Sequence, residues 1–227
     1  MPDGSFSLPA RLYLLAWDTD RLRITGAAHL HHLVRAGALT ELAQRGLLVD
    51  DDGIATPVDL DARTGDIVLD GLLDLVRESM PRRWKTWVNL RARHTLDAVR
   101  EQLAAGGQLR VDKKRVLGIF PSLDYGLAAP AVADAVREQA RRALDEDVPV
   151  SAVSATDAAV VALAAAAELR TLLAPKDRRR HRARIEELTE RSGAPAPALR
   201  KVVREVRTAM VAATAAATAS ATASASA

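Results

Sequence analysis

The 227-residue sequence contains no cysteine, which excludes disulfides, thiolate nucleophiles and cysteine-ligated zinc. Aromatic residues are also scarce, at 3%, whereas hydrophobic residues reach 48% and many of these are alanine. A chain of this composition fills its core with aliphatic and alanine side chains. We therefore expect a helical core that contains few aromatic rings.

Long apolar runs are absent, because none reaches the roughly 18 residues of a membrane-spanning helix. The first five residues also lack the basic and apolar regions of a signal peptide. The formal net charge of +3 is too small to indicate nucleic acid as a partner. We expect a cytoplasmic protein whose contact with membranes is peripheral.

Recognisable catalytic patterns are missing as well. There is no Ser-His-Asp set, no glycine-rich phosphate loop and no metal constellation, so we predict no enzymatic activity, no cofactor and no metal. His29 and His32 share a helical face and lie close to His31, but a local third ligand is lacking. Residues 50–53 (Asp-Asp-Asp-Gly) are predicted to form a turn, because the alternating oxygen ligands of a calcium loop are missing.

Apolar residues recur at helical spacing in several segments, and glycine, proline and aspartate mark the breaks between them. The clearest helix covers about residues 27–45, ends at Gly46, and carries the apolar residues Leu30, Leu33, Val34, Leu39 and Leu42. Other helices are predicted over residues 10–17, 67–76, 94–105, 130–144, 156–173 (alanine-rich and buried), 178–191 and 198–213. Two β-hairpins are predicted at 47–58 and 108–120, the second with a basic turn at 112–114 and closed by Pro121.

These elements predict a mostly α fold, with a single helical domain and small β-hairpins. The domain is placed over residues 8–213, after a lead-in at 1–7. From residue 214 to residue 227 the chain contains only Ala, Thr and Ser. This low-complexity tail is predicted to have nothing to pack against.

Four sequence blocks carry a resemblance to a known family. They are residues 40–46 (Thr-Glu-Leu-Ala-Gln-Arg-Gly), 64–70 (Thr-Gly-Asp-Ile-Val-Leu-Asp), 99–103 (Val-Arg-Glu-Gln-Leu, followed by a turn that ends in glycine) and 116–120 (Val-Leu-Gly-Ile-Phe). In order and spacing these blocks resemble the Golgi phosphoprotein 3 family, including its bacterial members, over residues 8 to 213.

The resemblance implies a helical domain around a central apolar helix, with one β-hairpin projecting from it. It also implies a peripheral membrane adaptor. Eukaryotic members of the family bind phosphatidylinositol 4-phosphate on membranes and recruit resident glycosyltransferases into transport carriers. An anionic phospholipid membrane and membrane-enzyme clients are therefore the expected partners.

The family's lipid pocket uses one tryptophan and three arginines. By resemblance, one arginine corresponds to Arg35 and a second to Arg100, whereas the third corresponds to Asp97 and the tryptophan to Gly26. Arg35 and Arg100 are the predicted headgroup-binding residues, because guanidinium offers a planar fork of donors to phosphate. The alternative is that both are solvated or pair with carboxylates such as Glu41 or Asp97.

The second hairpin combines apolar and basic residues. Basic groups are attracted to anionic membrane surfaces, and apolar groups can enter the interface. With the resemblance, this predicts membrane docking through Lys113, Lys114, Arg115, Val116, Leu117 and Ile119. The alternative is a hairpin that packs on its own core or on a second subunit, and self-association through the hairpin is also expected.

Two further basic clusters have competing interpretations. Arg77, Arg82, Arg83 and Lys85 surround two tryptophans that either form a membrane-interface patch or, for Trp87 in particular, belong to the core. The run at 178–184 could contact nucleic acid or acidic lipid, but the glutamates that follow favour a solvated, salt-bridged helix. Two rival functions thus stay open: a protein–protein scaffold with a decayed lipid pocket, for which Asp97 and Gly26 argue, and a nucleic-acid-binding protein.

Overall fold

The computed structural model describes residues 6–116, 120–193, 204, 207–212 and 214–216, and it is mostly helical, as predicted. The helices are α1 (Leu8–Leu15), α2 (Leu30–Gln44), α3 (Ile67–Arg77), α4 (Trp84–Asn89), α5 (Ala92–Ala105), α6 (Pro130–Leu144), α7 (Ala155–Ala166), α8 (Pro175–Arg180) and α9 (Arg182–Ser192). The strands are β1 (Trp17–Asp18), β2 (Arg23–Ile24), β3 (Leu48–Asp51), β4 (Ile54–Pro57), β5 (Arg82–Arg83), β6 (Leu109–Val116) and β7 (Phe120–Leu127). Residues 204, 207–212 and 214–216 are also helical and are called the C-terminal helix below.

Helix α2 is the central helix of the fold. It packs against α1, α3, α4, α5 and α7, and nearly all of its residues are buried, so it is apolar on almost every side. The helix ends where Gly46 adopts a left-handed φ of +71°. Leu47 N donates to Leu42 O (2.9 Å) and Gly46 N donates to Ala43 O (3.0 Å), which satisfies the last carbonyls of the helix.

Helix α1 lies unusually close to α2. A Cβ atom added to Gly37 would lie 2.6 Å from Leu12 Cδ1, 2.8 Å from Leu8 Cδ2 and 3.3 Å from the backbone of Pro9. Gly37 therefore permits the close approach of the two helices, because any side chain at this position would overlap α1.

Helix α7 ends earlier than its sequence predicts. The alanine-rich segment is buried as expected, but the helix stops at Ala166 instead of continuing to residue 173. Glu168 adopts a left-handed φ of +54°, and Leu169 N then donates to Ala164 O (3.0 Å). The left-handed position at a helix end is normally occupied by glycine, and here it is occupied by Glu168.

The helix predicted over residues 178–191 is also divided. It forms two helices, α8 and α9, which are separated at His181.

The second hairpin is longer than predicted. Its strands β6 and β7 pair in antiparallel register from Leu109↔Leu127 to Val116↔Phe120, so the turn predicted at residues 112–114 is wrong. Pro121 does not close the hairpin but lies within β7, opposite Arg115. The base is buried at Leu109 and Leu127 and Tyr125 packs partly against the core, whereas Val111 and Leu123 are exposed.

Strands β3, β4 and β5 form the other hairpin and one added short strand. The β3–β4 turn falls at Asp52 and Gly53, which both have positive φ, as in a two-residue hairpin turn. Behind this sheet Trp84 and Trp87 are fully buried, and Trp84 Nε1 donates to Asp50 Oδ1 (2.9 Å). The prediction that Trp87 belongs to the core is confirmed, and a membrane-interface patch containing either tryptophan is ruled out.

The C-terminal helix packs against the rest of the domain. Met210 is fully buried, and Arg207 pairs with Glu186 of α9 (2.9 Å). The helix continues through residues 214–216, and Thr214 is buried, so at least this part of the predicted tail is packed. Within the part of the chain that the structure describes, no helix is both long and apolar enough to cross a bilayer.

The α1–α2 contact can be tested with two glycine substitutions. We expect Gly37→Ala to lower the free energy of unfolding by about 1–3 kcal/mol, because the new methyl group overlaps Leu8 and Leu12. Gly71→Ala is the matched control, because Gly71 is an exposed glycine within α3 whose added Cβ would meet nothing within 4 Å. It should raise the free energy of unfolding by about 0.5–1 kcal/mol. Urea denaturation measures both, and equal effects of the two substitutions would contradict the close contact.

Candidate anion-binding site

The first of the four sequence blocks, residues 40–46, has a structural role. Glu41 Oε2 accepts a hydrogen bond from Leu8 N (2.7 Å), which caps the start of α1, where Ser7 makes no side-chain cap. Its other oxygen accepts from Arg45 Nε (3.1 Å). The Glu-Leu-Ala-x-Arg pattern thus joins α1 to α2 and provides no reactive group.

The second block, residues 64–70, is a helix cap. Asp66 Oδ1 accepts from Val68 N (2.9 Å) and Leu69 N (3.1 Å) at the start of α3. Asp66 Oδ2 accepts from Gln102 Nε2 (3.0 Å), a residue of the third block. The Asp66 carboxylate therefore connects the second block to the third. These contacts stabilise the packing of α3 against α5 and indicate a structural role for both blocks.

Arg35 is a buried cation without a counter-charge. It lies on α2 and is 1% exposed, and its Nη2 donates to Arg91 O (2.7 Å). Nε and Nη1 have no partner, and among the described residues no carboxylate pairs with this guanidinium. Because burial disfavours the charged form, the pKa of Arg35 is lowered to about 10, so the residue remains cationic at neutral pH.

The carbonyl that accepts the hydrogen bond from Arg35 belongs to Arg91, the residue immediately before α5. Arg91 has a left-handed φ of +51°, and no side chain caps this end of the helix. The N-terminus of a helix carries partial positive charge on its free N–H groups. The charge of Arg35 adds to this end of α5, so the junction between α4 and α5 has a positive potential that anions favour.

Arg100 lies in a different environment, on the same helix α5. Its guanidinium carbon is 5.9 Å from the ring centre of Tyr13 and 5.3 Å from that of Tyr125, and Nη1 lies 3.3 Å from Asp97 Oδ1. These cation–π contacts connect the hairpin, through Tyr125, to α1 and α5. Burial raises the pKa of Tyr13, so its ring faces Arg100 as a neutral phenol.

The two predicted headgroup residues thus lie on neighbouring helices with separate partners. Within the described part of the chain, Arg35 and Arg100 share no hydrogen-bond or ring-contact partner. Arg100 keeps 27% of its side chain exposed, whereas Arg35 is enclosed. The backbone carbonyl of Arg91 was not foreseen from the sequence, because it lies 56 residues from Arg35 and carries no side-chain signature.

The remaining two family positions differ in chemistry. Gly26 has a φ of +66°, and a Cβ atom there would lie 2.9 Å from His29 Nε2, so a tryptophan does not fit this backbone. Asp97 is exposed and forms an ion pair with Arg100. The aromatic and the third arginine of the family pocket therefore have no equivalent at these positions.

The residues predicted to dock on a membrane lie on or next to the hairpin strand β6. Lys113 is exposed in β6 and pairs in register with Leu123. Lys114, Arg115 and Val116 complete the strand, and their side chains are not described. Leu117 and Ile119 lie outside the described residues.

The basic run at 178–184 is divided between two helices. Arg178 forms an ion pair with Glu168, whereas Arg184 is buried and donates to Ala143 O (3.0 Å) and Val148 O (2.7 Å). Arg184 therefore links α9 to the end of α6 through hydrogen bonds to backbone carbonyls. The run does not present one continuous basic face, which removes the main observation in favour of nucleic acid.

The three clustered histidines have lowered pKa values. Burial lowers the pKa of His29, His31 and His32, and that of His31 falls to about 4. The rings of His31 and His32 are 3.9 Å apart. In the described ranges, no group of three or more potential ligands stands together to hold a metal ion.

The family model described as Golgi phosphoprotein 3 (GPP34) matches residues 8–206, which is most of the chain. No curated protein matches the sequence.

The histidine cluster predicts a pH dependence of stability. Below the unfolded-state pKa of about 6.5, the unfolded chain binds protons that the folded His31 excludes until about pH 4. The free energy of unfolding should therefore fall as the pH is lowered from 7 to 5. His31→Gln should make this decline shallower, and His94→Gln, which replaces an exposed histidine, controls for the loss of one imidazole. Urea denaturation at several pH values measures the slope, and an identical slope in His31→Gln would contradict the prediction.

Proposed function

Since the chain belongs to the Golgi phosphoprotein 3 family, we propose that it is a peripheral membrane adaptor that binds an anionic phospholipid headgroup. By resemblance the headgroup is phosphatidylinositol 4-phosphate or a related phosphoinositide. The adaptor works without catalysis or cofactor, and it recruits membrane-enzyme clients. Self-association through the β6–β7 hairpin belongs to the same proposal.

The observation that carries the proposal is the unpaired charge of Arg35. Placing a guanidinium in the interior without a carboxylate is unfavourable, and one backbone carbonyl only partly offsets this penalty. A domain that served only as a scaffold would gain stability from an apolar residue here. An anion held near the start of α5 would supply the missing negative charge.

Arg100 offers the direct contact in this proposal. It is partly exposed, and the two tyrosine rings hold its guanidinium plane in place. A phosphate oxygen would compete with Asp97 for Nη1, since guanidinium binds phosphate through charge-assisted hydrogen bonds. The exposed carboxylate of Asp97 weakens the contact, so the affinity for a single headgroup is expected to be modest.

The hairpin supplies the second contact with the membrane. Beyond its buried base it exposes Val111 and Leu123 together with Lys113. Apolar side chains that flank a lysine on a projecting hairpin suit the boundary between headgroups and acyl chains. Weak headgroup binding and weak insertion reinforce each other on one surface.

Vesicle co-sedimentation tests the headgroup site. The chain should sediment with vesicles that contain phosphatidylinositol 4-phosphate, and Arg100→Gln should weaken this binding by about fivefold, the effect of about one lost basic contact. Arg182→Gln replaces an exposed arginine on α9 and serves as the matched control. Binding to neutral vesicles as strong as to anionic vesicles would overturn the adaptor proposal.

Charge reversal on the hairpin tests membrane docking separately. Lys113→Glu should weaken sedimentation with anionic vesicles by at least about fivefold, because an attraction to the surface becomes a repulsion. Thermal unfolding should be unchanged, since Lys113 is exposed. If Lys113→Glu sediments like the unmodified chain while Arg100→Gln does not, the hairpin has no part in docking.

A protein–protein scaffold with a decayed lipid pocket is the second candidate. The Asp97–Arg100 pair and the glycine at position 26 favour it, because both remove family contacts to phosphate. The same sedimentation series separates the two functions. A scaffold would show no difference between anionic and neutral vesicles but would still self-associate.

A further inference from the structure

A cavity of about 1020 Å³ lies between α4 and the C-terminal helix, at the upper end of the size of ligand pockets. One wall is formed by α4 and the residues that flank it, and the other by the C-terminal helix, with Gly53 of the β3–β4 turn also in the lining. None of the four family pocket positions lines this cavity. We call it the α4 groove.

The α4 wall of the groove is basic. Arg83, Lys85 and Arg91 line it, all three are exposed, and in the described ranges none of them forms an ion pair. The fourth cation of the lining, Arg204, is already paired with Glu190 of α9. No acidic side chain occurs among the described lining residues, so in this part of the structure the lining carries three cations that form no ion pair.

The opposite wall is apolar. Ala209, Ala212 and Ala216 recur at intervals of three and four residues, which places them on one face of the C-terminal helix. The polar lining residues Thr208 and Asn89 donate to carbonyls of their own helices, at Arg204 O (2.8 Å) and Lys85 O (2.8 Å). Thr208 thus uses its hydroxyl hydrogen and Asn89 one of its two amide hydrogens, and the alanine side chains offer a ligand no hydrogen-bond donor.

Arg35 adds to the positive potential of the groove from the interior. Its Nη2 donates to the carbonyl of Arg91, one of the three free cations, and its Nε and Nη1 are buried without partners. The uncapped N-terminus of α5 begins at the same residue. Arg35, Arg91 and the N-terminus of α5 thus place positive charge where α4 meets α5, in addition to Arg83 and Lys85 on the α4 wall.

We propose that the α4 groove binds one molecule of an anionic phospholipid. Its phosphate is held by Arg83, Lys85 and Arg91, and one acyl chain lies along the alanine face of the C-terminal helix. The inference rests on the proposed function for its source of ligand, a membrane. It adds a site that is separate from the predicted contacts of Arg100 and the hairpin.

A lipid suits this groove better than an acidic peptide does. A bound peptide must satisfy its backbone N–H and C=O groups, and an alanine face provides no partners for them. An acyl chain requires only apolar surface, and its negative charge is confined to one end. The described lining has a similar division: the cations without ion pairs lie on α4 and its flanks, and the C-terminal helix adds three alanines beside Arg204 and Thr208.

Titration with dihexanoyl phosphatidic acid, a short-chain anionic phospholipid used below its micelle concentration, tests the site in solution. Isothermal calorimetry should show saturable binding to the full chain. Dihexanoyl phosphatidylcholine should bind at least about fivefold more weakly, because its choline cation offsets the phosphate charge and leaves the headgroup without net charge. Glycerol 3-phosphate, which lacks acyl chains, should also bind more weakly. Equal binding of all three probes would overturn the proposal.

Two pairs of variants locate the binding. Ala212→Phe places a ring in the groove and should weaken binding at least about tenfold, whereas Ala215→Phe, an exposed position of the same helix outside the lining, should not. Lys85→Glu should weaken binding by about fivefold or more, and Arg179→Glu on α8 is its control. If Ala212→Phe binds like the unmodified chain and unfolds at the same temperature, the groove is not the site.

Vesicle sedimentation distinguishes this inference from the proposed function. A chain that sediments with anionic vesicles but does not bind the short-chain lipid refutes the groove and leaves the adaptor intact. If the chain binds the short-chain lipid and Ala212→Phe weakens this binding, but the chain does not sediment with vesicles, the result supports the groove and refutes the adaptor. Binding of a polyglutamate peptide, lost in Ala212→Phe while the lipid does not bind, would assign the groove to an acidic protein partner and overturn the lipid proposal.

Discussion

The burial of α2 on nearly every side is the constraint on which the other elements depend. Its buried polar groups have little access to water, so their partners must come from inside the protein. Glu41 accepts from the start of α1, Gln44 donates to Ala155 O (3.0 Å) and Ser192 O (2.9 Å), and Arg35 donates to the start of α5. Glu41, Gln44 and Arg35 therefore each connect α2 to the end of another helix.

The same helix explains why charge is unevenly balanced in the molecule. Glu41 has Arg45 as a counter-charge, but Arg35 has only a carbonyl, so the side of α2 that faces α5 keeps a net positive charge. The unpaired cations of the α4 groove lie around the residue that Arg35 contacts. The buried Arg35 and the exposed cations of the groove thus lie at the same junction, and for this reason we propose an anionic ligand there although the formal charge of the chain is only +3.

Sequence reasoning succeeded where one periodic pattern determined one element. Helix α6 begins and ends at the predicted residues, Pro130 and Leu144, because proline starts the helix and a clear apolar face supports it. The hairpin turn was misplaced because residues 110–113 of β6 are exposed on both faces of the strand, and charged residues in such a strand look like a turn. The end of α7 was missed because a glutamate, rather than a glycine, takes the left-handed position. The partner of Arg35 could not be predicted from the sequence, because it is a backbone carbonyl and no side chain identifies it.

The C-terminal helix shows how a segment of alanine-rich sequence can shape a groove. Its alanine-rich sequence resembles the low-complexity tail that follows, and nothing in that pattern predicts a core. Yet Met210 and the ion pairs of Arg204 and Arg207 with α9 anchor the helix. Larger side chains in place of Ala209 and Ala212 would fill the space against α4. Because alanine has only a methyl group, the helix packs through one face and leaves a groove along another, so a cavity arises from small residues on a firmly anchored helix.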